Sequence, residues 1–218
     1  MINIGPHRFQ GFFFTNLKVG GTWRNLLVHG DAIVKEGIYE NYYTGSYFEE
    51  IYAEGLFDGK KLKIKEIEGF DETGGAFAGS AFLSLSEKNH FPFSVSLNLD
   101  DLIVVDIPIA LASAKGNISI EGNQKSAKAV GDLRVVEAKF SIPESLPPRI
   151  PEIPLAGNRQ KIEEKTATKK PYPLSLDVKI SSGRNIYIEG RGLNSRWQGN
   201  FSLEGTYDDI RTDGQLSL

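Results

Sequence analysis

Few residues in this chain are of a type and spacing that could carry out a reaction. His7, His29 and His90 lie far apart in sequence, each without a second ligand at metal spacing, so they read as surface or edge residues and no metal site is expected. Asp100-Asp101 and Asp208-Asp209 could serve as paired carboxylates. Both fall between apolar runs, where aspartate is favoured for the hydrogen bonds it makes to a turn. Gly190-Arg191-Gly192 lacks the following helix whose N-terminus would hold a phosphate. Ser181-Ser182 has no base nearby in sequence and no nucleophile elbow around it. No catalytic centre and no cofactor site are expected.

The elements that would have to position a site are strands. Gly199-Asn-Phe-Ser-Leu-Glu-Gly205, followed by Gly214-Gln-Leu-Ser-Leu218, repeats an earlier series, Gly116-Asn-Ile-Ser-Ile-Glu-Gly122 followed by Gly131-Asp-Leu-Arg-Val135. In both copies the opening glycines are fifteen residues apart, which is the signature of a repeated β-hairpin. A looser match, Pro92-Phe-Ser-Val-Ser-Leu97 with Pro171-Tyr-Pro-Leu-Ser-Leu176, precedes each copy, with one loop absorbing four more residues in the second. The repeat unit is then three or four strands. Leu62 and Ile64, Val95, Leu97 and Leu99, and Leu174, Leu176, Val178 and Ile180 alternate with polar residues, as half-buried strands do. Gly20-Gly21, Gly30-Asp31, Gly74-Gly75, Asp100-Asp101 and Ser182-Gly183-Arg184-Asn185 read as turns between short strands of five or six residues. Glu49 to Leu56 reads as a strand or irregular edge.

The totals narrow the class. The 218 residues carry 25 basic and 28 acidic side chains, and this balance lacks the basic face that nucleic acid requires. There are no cysteines, hence no disulfide and no thiolate metal site. The opening Met1-Ile-Asn-Ile-Gly-Pro6 is not a signal peptide. The most apolar window, Leu102 to Ala114, holds Asp106 and Pro108 and is too short for a membrane-spanning helix. Ending on Leu218 without a cap or polar tail, the chain reads as a piece of something longer. Seven of the ten prolines lie between 143 and 173, around the basic stretch Asn158–Lys170. This insert cannot be a central strand. It divides the chain into a β-repeat segment 1–142, a charged, proline-rich and mobile insert 143–173, and a continuation 174–218 of the same domain.

Many strands with one apolar face and no helical periodicity must fold over to face themselves, as a sandwich, a barrel or a taco-like trough. A closed core is the ordinary outcome. A repeated trough instead leaves each end needing a neighbour or a cap. A membrane barrel would call for strands of about nine to eleven residues and aromatic girdles, and neither is visible.

In the C-terminal half, Gly131-Asp-Leu-Arg-Val-Val-Glu-Ala-Lys-Phe-Ser-Ile-Pro143, the insert, Leu174-Ser-Leu-Asp-Val178 and Gly183-Arg-Asn-Ile-Tyr-Ile-Glu-Gly-Arg-Gly-Leu193 stand in an order that resembles the C-terminal domain of the TamB family. Residues 26–115 resemble it more loosely, in the repeat style shared with AsmA-like proteins. The resemblance implies an all-β, elongated β-taco: an open trough of repeated short antiparallel strands with an apolar groove. It implies a periplasmic segment of an inner-membrane-anchored protein that meets an Omp85-type outer-membrane barrel (TamA-like). Phospholipid acyl chains would be the cargo and client outer-membrane proteins the further partners. The expected groove lining is Ile118, Ile120, Leu133, Val135, Leu174, Leu176, Val178, Ile180, Ile186, Ile188, Phe201, Leu203, Leu216 and Leu218. Two other readings stand beside lipid transport: a chaperone pairing its edge with client strands, and a purely structural β-solenoid.

Overall fold

The structure, a computed structural model, describes residues 2–22, 25–144, 172–206 and 209–218. Most of the proline-rich insert (145–171) and Asp208 of the second aspartate pair therefore lie outside the described residues. Among the described residues twelve strands form one sheet: β1 (Ile2–Ile4), β2 (His7–Thr22), β3 (Asn25–Asn41), β4 (Tyr47–Gly59), β5 (Lys61–Phe70), β6 (Ala76–Ser84), β7 (Phe93–Ile107), β8 (Ala110–Gly122), β9 (Ala127–Ser141), β10 (Leu174–Gly190), β11 (Leu193–Thr206) and β12 (Asp209–Ser217). They stand in sequence order, and β1 and β12 do not pair, so the sheet is an open curl and not a barrel. No described helix is long and apolar enough to cross a membrane.

Strands of 13 to 17 residues dominate, such as the 17 of β3 and β10 and the 15 of β7 and β9. This corrects the expectation of five- or six-residue strands, and with it the strand-length argument against a membrane barrel. The cause is local. Several glycine and aspartate steps that read as turns are β-bulges, which bend a strand without ending it. Asp101 (φ 52°) carries β7 through a register shift between Leu99 and Leu102. Residues 183–185 do the same inside β10, between Ser182 and Ile186. Gly30-Asp31 lies within β3, paired to Leu17 and Asn16 of β2. Glu49 to Leu56 is a central strand, since β4 pairs with both β3 and β5.

The bulges are aligned. Gly11 in β2, Glu36 (φ 50°) in β3, Glu50 (φ 52°) in β4 and Asp101 in β7 interrupt register in turn. The line continues through Leu102 opposite Ala114, Ala114 opposite Val135, Val135 opposite Ser182 and Ser182 opposite Gly199. Because a bulge increases local bend and twist, the row is a crease dividing the sheet into two limbs. A buried hydrophobic cluster gathers there: Leu102 (2% exposed), Phe77 and Leu99, packed by Phe48, Ile51, Val104 and Leu133.

Two strands stop at the crease. β5 ends at Phe70 and β6 begins at Ala76, joined by a turn built on Asp71. Its Oδ1 accepts from the Thr73 N–H (2.8 Å), the Thr73 hydroxyl (2.8 Å) and the Gly75 N–H (2.9 Å), and its Oδ2 accepts from the Ile103 N–H of β7 (2.7 Å). Beyond the crease, the β3–β4 turn fills the space left by the short hairpin. The Asp106 N–H donates to the Thr44 carbonyl (2.7 Å) and the Ser46 hydroxyl to the Val104 carbonyl (2.7 Å). Gly45 (φ +69°) makes this possible, because a Cβ there would strike the Asp106 carbonyl.

Neighbouring strands are antiparallel except β9 and β10, which run parallel. Parallel neighbours cannot be joined by a tight turn: β9 ends at Ser141, and β10 begins at Leu174, which pairs with Ala127 at the other end of β9.

The repeat is visible in the register. Ile118 faces Gly131 in the first copy, and Phe201 faces Gly214 in the second. Both pairs are offset by the same 83 residues, from Ile118 to Phe201 and from Gly131 to Gly214. The preceding strands share that offset, since Val95 faces Ile120 and Val178 faces Leu203. The proline-based match, which needed a loop of four extra residues, is therefore out of register. The unit is three strands, β7–β9 and then β10–β12.

Candidate functional site

Directly paired residues on adjacent strands share a face, so the register places each expected groove residue. One row runs Leu97, Ile118, Gly131, Val178, Leu203, Thr212 across β7 to β12. The next runs Val95, Ile120, Ala129, Leu176, Gly205, Ile210, and a third runs Leu99, Gly116, Leu133, Ile180, Phe201, Gly214. Leu174 pairs with Ala127, and Leu216 with Gly199. Val135 pairs with Ala114 at the crease. Beyond it, Ile186 sits between Ala138 and Trp197, and Ile188 between Phe140 and Ser195. Leu218 lies one residue past the end of β12 and is 69% exposed. The register thus sets the other thirteen on one face, the face that carries the buried cluster.

That face does not stop at β7, which the expected list had missed. It continues as Phe77, Gly79, Ala81 and Leu83 on β6, Leu62 and Ile64 on β5, Ala53, Gly55 and Phe57 on β4, Ala32 and Val34 on β3, and Phe13 on β2. The alternation of Leu62 with Ile64 and of Val95 with Leu97 and Leu99 was a legible signal for this half. At the β2 edge Phe13 is 68% exposed. Between these strands lies an apolar recess of about 100 Å³ walled by Phe13, Val34, Ala53, Phe57, Leu62 and Ile64. It is roughly three times the ~30 Å³ share of one water molecule, enough for a short length of hydrocarbon.

Large side chains on this face lie flat over small partners. A Cβ on Gly69 would come within 2.6 Å of the Phe77 Cζ and 3.0 Å of the Ile51 Cγ1. On Gly214 it would meet the Phe201 Cδ1 at 2.7 Å, and on Gly79 the Leu97 Cδ2 at 2.7 Å. Aromatic cover of sheet glycines is a known stabilising device, and here it keeps the floor smooth. Gly69→Ala is expected to lower stability by about 1–3 kcal/mol, because Phe77 and Ile51 would have to shift in an already packed crease. Denaturant titration of this variant checks the expectation, and an unchanged midpoint would contradict it.

Across β7 to β10 the opposite face is mainly polar apart from the exposed Val130, while Phe12, Phe14 and Leu56 are exposed on it elsewhere. Asn98 donates to Asn117 (2.8 Å), Ser96 and Ser119 are 3.2 Å apart, and Lys128 pairs with Asp177 at 3.0 Å. At the turn end of β7–β11 the two faces meet in a shallow concavity of about 690 Å³, where Phe93 and Ala127 adjoin Glu121, Lys128 and Ser175.

The residues considered for chemistry do not converge. His7 Nδ1 is 2.9 Å from the Tyr39 hydroxyl, His29 is 3.5 Å from Asp58, and His90 caps a 3-10 turn. Asp100 and Asp101 lie within β7, not in a turn as expected, and Asp101 accepts from the Ser113 hydroxyl (2.8 Å). Asp209 pairs with Arg211 at 3.2 Å. Gly190 and Leu193 close the β10–β11 turn. Among the described residues no cluster of three metal-ligating side chains occurs.

The Asp71 carboxyl is shifted by its surroundings. Burial pushes its carboxyl up, but the hydrogen bonds from Ile103, Thr73 and Gly75 outweigh burial and hold it below its ordinary value.

Comparison with known proteins adds one finding. A family model described as the TamB C-terminal domain matches residues 65–218. No curated protein and no solved structure matches the chain.

Proposed function

The chain belongs to the TamB family, envelope proteins that work with the outer-membrane assembly machinery and are not known as enzymes, and from that premise we propose that its apolar face carries phospholipid acyl chains between the inner and outer membranes. The carrying observation is the largely apolar face that the register carries from β2 to β12, floored by glycine and alanine and left unclosed at both edges. Each methylene moved from water to an apolar site contributes about 0.8 kcal/mol. A sixteen-carbon chain therefore faces a cost of about 12 kcal/mol in crossing water. A continuous apolar floor offsets most of that cost and needs no base, nucleophile or metal. The mixed concavity beside Phe93 and Lys128 would suit the amphiphile where chain meets headgroup.

The proposed setting is the periplasm, as part of a longer inner-membrane-anchored protein meeting an Omp85-type barrel. The residues proposed to line the path are those of the rows above, from Phe13 to Leu216. A photo-crosslinker at Phe201 tests the reading. Lipid adducts are expected on irradiation in membranes, and mass spectrometry of the purified chain should find co-purifying phospholipid. Polypeptide adducts without lipid would favour a chaperone role instead, and adducts of neither kind would leave a structural solenoid.

A further inference from the structure

On the face opposite the buried cluster, one row of residues crosses six strands at the turn end of the sheet. Phe82 of β6 pairs with Ser94 of β7, Ser94 with Glu121 of β8, and Glu121 with Lys128 of β9. Lys128 pairs in turn with Ser175 of β10, and Ser175 with Thr206 of β11. All six line the concavity of about 690 Å³ in which Phe93 and Ala127 also take part. Neighbouring strands stand about 5 Å apart, so the row forms a slot. Phe82, Glu121 and Lys128 are its tall members, and Ser94 and Ser175 are the low ones between and beside them. Two hydrogen bonds fix the loops that close its end. The Gln124 N–H donates to the His90 carbonyl (2.7 Å), and the Ala127 N–H to the Pro173 carbonyl (3.0 Å).

The lining holds one charge of each sign, Glu121 and Lys128. Lys128 is tied to Asp177 at 3.0 Å, but both side chains are about half exposed. An exposed pair of this kind contributes little, so the Lys128 ammonium can turn to a ligand. Glu121 makes no ion pair among the described residues. Across the small Ser94 from it stands Phe82, and a carboxylate near an aromatic ring attracts an organic ammonium by charge and by the ring's quadrupole. Lys128 offers its charge to a phosphate oxygen. The two groups sit one strand spacing apart, which suits a ligand whose ammonium and phosphate are joined by two carbons. A phosphate bearing a neutral alcohol would leave Glu121 facing no cation. At this end of the sheet β7, β9 and β10 begin with Phe93, Ala127 and Leu174, each one residue along from the slot and on the apolar face. Acyl chains of a molecule held in the slot therefore reach the apolar face around the strand ends.

We infer that this slot receives the zwitterionic headgroup of a phospholipid, a phosphate diester carrying a primary ammonium. Glu121 and Phe82 hold the ammonium, and Lys128 holds the phosphate. The slot's role rests on the proposed lipid cargo and adds to it a preference for zwitterionic over anionic lipids.

Backbone amide chemical shifts of the full, isotope-labelled chain test it with two water-soluble headgroups that lack acyl chains, glycerophosphoethanolamine and glycerophosphoglycerol. Shifts are expected at Ser94, Glu121 and Lys128, with glycerophosphoethanolamine binding about fivefold tighter, the factor that one exposed ion pair supplies. Glu121→Gln should bring the two to equal affinity and leave the rest of the spectrum unchanged, because Glu121 is exposed. Dihexanoylphosphatidylethanolamine should bind several-fold tighter than its headgroup alone. No shifts at these amides, equal affinities in the unaltered protein, or a preference that survives Glu121→Gln would each overturn the inference. Equal affinity with and without the short chains would overturn it too, by marking the slot as one for a soluble amine phosphate. The two readings fail separately. Lipid adducts missing at Phe201, with the headgroup preference intact, would sink transport along the apolar face and leave the slot; adducts present without the preference would do the reverse.

Discussion

Asp71→Ala is expected to destabilise the sheet by about 3–5 kcal/mol, the largest stability loss of any single polar substitution proposed here. The carboxylate is 4% exposed and accepts four hydrogen bonds, three within its own turn and one from Ile103 of β7. Hydrogen bonds to a charged group contribute about 1.5–3 kcal/mol each, and stranding a buried N–H costs about 1–3 kcal/mol. Truncation removes the acceptor while Gly75 and Ile103 stay in place, so both costs apply. The pH dependence follows from the lowered carboxyl. Because the folded protein holds the proton less tightly than the unfolded chain, where the carboxyl titrates near 3.9, this stabilisation is complete above about pH 5. It is lost as the pH falls through the lower folded value. Asp71→Asn should flatten that part of the acid-unfolding curve. Equilibrium unfolding from pH 2 to 7 measures both effects, and parallel curves for wild type and Asp71→Asn would remove Asp71 from the account.

Leu203→Arg is expected to reduce uptake of a fluorescent phospholipid from vesicles by about a hundredfold, the largest functional effect proposed. Leu203 lies in the row between Val178 and Thr212, one strand in from the β12 edge. An arginine in hydrocarbon costs about 2.5–3.5 kcal/mol, which is the origin of that factor. Fold stability should change far less, because the edge is open and the long side chain can carry its guanidinium to water. Leu203→Met, which keeps shape and polarity, should bind lipid like the wild type. Far-UV circular dichroism verifies the sheet in each variant. Undiminished uptake by a folded Leu203→Arg protein would count against acyl chains travelling along this face.

The alternation of Leu174, Leu176, Val178 and Ile180 was legible because a strand's side chains change face at every residue, whatever it pairs with. The hairpin repeat was legible for a related reason. Gly116 and Gly131, like Gly199 and Gly214, are spaced by local register, and the 83-residue offset survives intact in the pairing of both copies. The crease was not legible. Asp100-Asp101 and Ser182-Gly183 use the same residue types in a bulge as in a turn, since both need backbone freedom and a side chain able to bond nearby amides. Only the partner strand distinguishes a chain that bends and continues from one that reverses.

Sequence alone determined that the chain is all β, that one face of each strand is apolar, and that its C-terminal half follows the TamB pattern. These properties are local and periodic, so they survive without knowledge of neighbours. Tertiary structure decided how long the strands run, where the sheet folds, and that β9 and β10 lie parallel. Each of these depends on which distant residue completes a backbone hydrogen bond. Asp71 shows this most plainly: an aspartate of ordinary sequence surroundings becomes the pin of the crease only because Ile103, thirty-two residues on, presents its N–H.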